Sequence, residues 1–115
     1  MTIKRIGVGP RMSQAVIHGD RVFLAGQVAE NPTSDVTEQT RQILATIDGL
    51  LAEAGTDKTK LLTANIWLAD IADFAAMNAA WDKWVSPGNT PARATVESKL
   101  AGPEYRVEIQ VTAAI

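Results

Sequence analysis

Cysteine is absent from the 115-residue chain. That excludes a disulfide framework, a thiolate metal site and a cysteine nucleophile. Histidine occurs once, as His18, which argues against a Ser–His–Asp triad and a His-rich zinc site. A basic surplus is lacking too. Lys and Arg number 11 against 13 Asp and Glu, a formal net charge of −2, so no long-range field draws a nucleic acid. No apolar run approaches the roughly 20 residues that span a bilayer, and Met1-Thr2-Ile3-Lys4-Arg5-Ile6-Gly7 holds no signal core. The chain therefore reads as cytoplasmic, with no membrane partner.

What is present is a 46% hydrophobic composition with 21% charged residues of both signs, without repeats, low-complexity tracts or a linker. One globular domain over residues 1–115 is expected. Apolar or small residues at Val36, Thr40, Ile43, Leu44, Ile47, Leu50, Leu51 and Ala54 follow helical spacing, with Asp35 and Glu38 at the start in capping-box spacing and Gly55 closing the helix. A second stripe, Phe74, Met77, Trp81, Trp84 and Val85, predicts another helix, with Asp70 as N-cap and Ser86-Pro87-Gly88 as stop.

Elsewhere the period is two. Ser13–His18 and Arg21–Val28 flank Gly19-Asp20, a pair suited to a type II′ hairpin, and Gly26 marks a bulge or close backbone approach. Leu61–Ala69 alternates Leu62, Ala64, Ile66 and Leu68 against Leu61, Thr63, Asn65 and Trp67, a strand expected to be covered on both sides. Ala92–Val96 and Tyr105–Val111 complete a mixed sheet with two helices on one face. Two helices leave the other face bare, so apolar area from Phe23, Leu61 and Trp67 implies an oligomer.

Alternation also suggests where chemistry sits. Ala92, Ala94 and Val96 share one side of their strand, leaving Arg93, Thr95 and Glu97 opposite; Val107, Ile109 and Val111 leave Arg106, Glu108 and Gln110 opposite. A single polar face carrying Arg93, Thr95 and Glu108 is expected. There a guanidinium can grip a planar carboxylate and a glutamate can polarise water. The same residues also suit an ordinary solvated cross-strand pair.

Gly9-Pro10, Ser13-Gln14-Ala15, Ala25-Gly26-Gln27, Asp73-Phe74 with Asn78, Pro91-Ala92-Arg93 and Val107-Glu108-Ile109 resemble, in order and over essentially the whole chain, the RidA (YjgF) family of enamine/imine deaminases. The resemblance implies a chorismate-mutase-like α+β fold and a homotrimer with three sites between subunits. It implies hydrolysis of 2-aminoacrylate-type enamines and their 2-imino acid tautomers to 2-keto acids and ammonia, with no cofactor and no metal. It also implies that Arg93 binds the substrate carboxylate, Glu108 orients or activates the attacking water, and Gly26, Asn78 and Thr95 line the pocket.

Three positions depart from the family pattern. Met12 stands where tyrosine is frequent, Ala25 where serine is frequent, and Thr95 where cysteine is frequent. A divergent branch is indicated. Its alternatives are a non-catalytic trimer that binds small carboxylates or acts as a chaperone, and, less supported by the charge, an endoribonuclease or translation inhibitor.

Overall fold

A computed structural model describes residues 1–115. The strands are β1 (Ile3–Ile6), β2 (Ala15–His18), β3 (Arg21–Leu24), β4 (Leu61–Leu68), β5 (Ala92–Glu97) and β6 (Val107–Ala114); the helices are α1 (Val36–Glu53) and α2 (Phe74–Trp84). They form one six-stranded sheet in the order β1-β2-β3-β6-β4-β5, antiparallel except for the β4–β5 pair. No helix is long and apolar enough to cross a membrane.

The helix signals act as anticipated. The Asp35 carboxylate accepts from the Glu38 amide at 2.9 Å, and beyond α1 Gly55 takes φ +87, where a side chain would be strained. Val36, Thr40, Ile43, Leu44, Ile47 and Leu51 are buried on one stripe. Each large aliphatic side chain there contributes about 1.5–3 kcal/mol by leaving water. Gln39 joins that stripe, fully buried. Its amide donates to Pro32, Ser34 and Glu104 carbonyls and accepts from the Arg106 amide, tying the loop before β6 to α1.

Asp70 caps a short 3-10 turn at Ile71–Asp73, accepting from the Ala72 amide, rather than capping α2 itself. In α2 the buried residues are Met77, Ala80 and Trp81; Phe74, expected in the core, is 41% exposed. The β2–β3 connection is the anticipated two-residue turn, with Gly19 at φ +64. β3 ends at Leu24, four residues short of the sequence expectation, because Ala25-Gly26 leaves the ladder before Gln27 rejoins it opposite Ile109.

Two assignments of strand faces are corrected by the register. A bulge between Leu61 and Thr63 puts Leu61 in the core opposite Ala113 and leaves Leu62 42% exposed, so Leu61 adds nothing to the bare face. The helices cover only one side of β4; Trp67 lies on the uncovered side, with Phe23 exposed on the same side. The second correction concerns β5. Arg93, Thr95 and Glu97 are in register with Ala64, Ile66 and Leu68, all buried under the helices, whereas Ala92, Ala94 and Val96 line the uncovered face.

Candidate functional site

The edge position of β5 explains how an arginine can occupy the helix-covered side. Edge strands have a neighbour on one side only, so a long polar side chain can lie under the rim of a helix and still reach water. The Arg93 Cζ lies over two α2 rings, 5.4 Å from the Trp81 centroid and 5.9 Å from that of Phe74. Glu97, two strand positions beyond Thr95, accepts from the Ile71 amide at 3.0 Å, fixing the strand to the 3-10 turn that leads into α2.

Beneath this rim are two polar atoms without partners. Asn78 Oδ1 and Thr95 Oγ1 are buried and make no hydrogen bond. A buried polar group left unpaired costs about 1–3 kcal/mol, so such a pair calls for a ligand or solvent partner. Asn78 lies one turn after Phe74 and one turn before Trp81, which brings all three to the same side of α2. Arg93, Thr95 and Asn78 are therefore gathered at one rim, with a guanidinium charge that no acid neutralises: the chain's ion pairs are Arg41–Glu38 and Arg106–Asp73.

Glu108 is elsewhere. It is in register with Trp67 on the uncovered face, whereas Val111, on the covered face, shares the β4 position Ala64 with Arg93. Two strand spacings and three residues of rise separate the Arg93 and Glu108 Cα atoms by about 14 Å, with side chains on opposite faces. The expected single polar face carrying both residues is thus not formed within one chain. Alternation correctly grouped Arg93 with Thr95 and Glu108 with Gln110, but alternation within each strand does not say which side of two non-adjacent strands coincides.

Glu108 has its own partner in the fold. A Cβ added to Gly26 would overlap Glu108 Oε2 and lie 3.1 Å from Cδ and 3.3 Å from Cγ. The glycine is the close approach that the strand pattern suggested: its missing side chain is the space the carboxylate fills. The adjoining segment is held by Gln27, whose amide donates to Gln14 Oε1 and to the Ala25 carbonyl, both at 3.0 Å. Met12, 48% exposed, lies in the loop just before Gln14. His18 is an exposed residue at the β2–β3 turn, remote in register from both clusters.

Sequence reasoning treated Phe74 and Trp81 as packing residues and missed their contact with Arg93. Their signal was present in the i, i+4, i+7 spacing of Phe74, Asn78 and Trp81. Gln39 gave no comparable signal, since a glutamine within a helical stripe is ordinarily placed at its edge.

The profile of one protein family, described as Endoribonuclease L-PSP, matches residues 2–115. The chain is 48% identical over 115 residues to the RutC family protein YoaB of Escherichia coli strain K12, covering 100% of both, and 46% identical over 113 residues to a RutC family protein of Haemophilus ducreyi, covering 98% of this chain and 97% of the other. Among solved structures it is similar to NMB1025 of Neisseria meningitidis, described as a member of the YjgF protein family, with a TM-score of 0.96 and 51% identity over 99% of this chain and 95% of that one.

Proposed function

The chain belongs to the endoribonuclease L-PSP family, the YjgF/RidA/RutC proteins, and on that premise we propose that it hydrolyses small 2-imino acids and their enamine tautomers to 2-keto acids and ammonia, at sites shared between subunits of a homotrimer. The observation that carries this reading is the division of the pocket residues. Arg93, Thr95 and the unpaired Asn78 gather at the rim of β5, and Glu108 with Gly26 on the uncovered face. One small substrate can touch both groups only where the rim of one subunit meets the open face of another. The apolar Phe23, Trp67 and Val96 on that face supply a reason for subunits to associate there.

In this site Arg93 takes the substrate carboxylate through two N–H donors, and the Thr95 hydroxyl donates to it or to the bound water. Glu108 holds a water against the imine carbon. As the oxygen–carbon bond forms, the C=N π electrons pass to nitrogen and Glu108 accepts a proton from the water. Returning that proton to nitrogen gives the carbinolamine; Glu108 then takes the carbinolamine hydroxyl proton and passes it to nitrogen as well, so that the C–N bond breaks as the C=O bond forms, giving the 2-keto acid and ammonia. Positioned proton transfer of this kind typically contributes about 10²–10⁴-fold, and no metal or cofactor enters the balance.

The test generates 2-imino acids in situ with an amino acid oxidase and follows keto-acid release against semicarbazide trapping. Wild-type protein accelerates release and Arg93→Ala does not. No acceleration across a broad panel of imino acids, or full activity in Arg93→Ala, contradicts the proposal. A binding-only reading has one observation in its favour: Ala25, next to the Gly26 that faces Glu108, and Met12, two residues before the Gln14 that bonds Gln27, offer no strong side-chain hydrogen bond. Calorimetry showing tight 2-keto acid binding without turnover selects it. RNA cleavage draws no support from a net charge of −2 and a single histidine.

A further inference from the structure

Arg93 is held in an unusual way for an arginine beside a fold's edge. Its guanidinium makes no hydrogen bond and no ion pair within the chain, in contrast to that of Arg106, whose Nη2 donates to Asp73 at 2.6 Å. A carboxylate partner fixes a guanidinium by occupying its in-plane N–H donors. Aromatic faces hold it by attraction of the cation to the ring and do not use up those donors. Arg93 has only the second kind of support, from Trp81 at 5.4 Å and Phe74 at 5.9 Å. Phe74 is also 41% exposed at the first turn of α2, so burial alone gives little reason for a phenylalanine there.

We propose that Phe74 and Trp81 are positioning residues. Their rings hold the Arg93 guanidinium with its donors open to an incoming carboxylate, and so they set affinity for the substrate class of small 2-imino and 2-keto acids rather than the rate of hydrolysis. This rests on the reading of Arg93 as the carboxylate anchor. An uncradled arginine side chain must be ordered when the ligand arrives, and that loss weakens binding; a cradled one has been ordered by folding. The contribution falls on ground state and transition state alike, because the carboxylate does not react. Removing it therefore raises KM and leaves kcat.

The test uses 2-oxobutanoate as the calorimetric probe and the imino acid made in situ as the kinetic one, with wild type, Phe74→Leu, Phe74→Tyr, Trp81→Phe and Arg93→Ala. Phe74 is chosen as the main site because it is exposed, and a thermal melt checks that Phe74→Leu is folded. Phe74→Leu should bind 2-oxobutanoate about two- to five-fold more weakly and show a matching rise in KM, with kcat unchanged. Phe74→Tyr and Trp81→Phe, which keep a ring face, should stay close to wild type. Arg93→Ala should lose measurable binding. Wild-type binding in Phe74→Leu together with loss in Arg93→Ala overturns the cradle and leaves the anchor standing. An equal loss in Phe74→Tyr, or a fall in kcat without a change in KM, also overturns the cradle. Wild-type affinity in Arg93→Ala, or no binding by the wild-type protein, overturns the anchor and the cradle with it.

Discussion

Replacing Gly26 with alanine tests the Glu108 side of the site with the smallest available change. The new Cβ would overlap Glu108 Oε2 and approach Cδ to 3.1 Å and Cγ to 3.3 Å. The φ of Gly26 is not in the left-handed region, so the backbone accepts alanine without strain, and the conflict falls on the carboxyl end of a flexible side chain. Relief requires the carboxylate to move by more than about 1 Å, since non-bonded heavy atoms settle near 3.5 Å. A 1 Å displacement of a group that positions a reacting water can cost about 10²-fold in rate. The conflict is confined to that movable end, so stability should change by less than about 1 kcal/mol. For 115 residues that is a melting shift of under about 4 °C. Steady-state keto-acid release and a thermal melt read the two quantities on the same sample. Activity within about two-fold of wild type in a folded Gly26→Ala protein would refute the claim that Glu108 acts from this position.

Three further outcomes concern the frame around the site. Gly49 lies inside α1 with no heavy atom within 4 Å of an added Cβ, so Gly49→Ala should stabilise the protein by about 0.5–1 kcal/mol, seen as a higher melting temperature with unchanged activity. Gln39→Leu leaves three carbonyls and the Arg106 amide without their partner and should cost about 3 kcal/mol in a urea titration, with a melt lowered by about 12 °C. The Asp57 carboxyl sits below its ordinary 3.8 because the Thr59 hydroxyl and then the Thr59 amide donate to it. A depressed carboxyl adds stability above 3.8 that is lost as pH falls through its lower folded value, so Asp57→Asn should melt slightly lower than wild type at neutral pH and show a flatter acid limb below about pH 4, where the two proteins converge.

The helices were readable because their information is local. Asp35, the Ile43–Ile47–Leu51 stripe and Gly55 act within a few residues of one another, and each does in the structure what its spacing implies. Strand faces are a different matter. The Leu61–Thr63 bulge reverses the first residues of β4, and nothing in Leu61-Leu62-Thr63 distinguishes the residue that drops out of the ladder. In β5 the small apolar Ala92, Ala94 and Val96 suggested a core face, yet register with β4 sends them to the uncovered side and Arg93 and Thr95 under α2. An apolar strand face marks the side that is to leave water, but hydropathy alone does not say whether helices of the same chain or another surface covers it. Arg93, Thr95, Asn78, Gly26 and Glu108 were visible in the sequence, Phe74 and Trp81 only as packing residues; the separation into two clusters depends on pairings between strands as far apart in the chain as β4 and β6.

That separation is what most needs testing, and mixing two inactive variants does so directly. Arg93→Ala and Glu108→Gln are each prepared alone, then unfolded together in equal amounts, refolded, and assayed for keto-acid release. If each site takes Arg93 from one subunit and Glu108 from another, random reassortment makes about one site in four complete, and the mixture recovers about a quarter of wild-type activity from two silent parents. If each site draws both residues from the same chain, no complete site can form, and activity that stays at the level of the parents contradicts the shared-site claim.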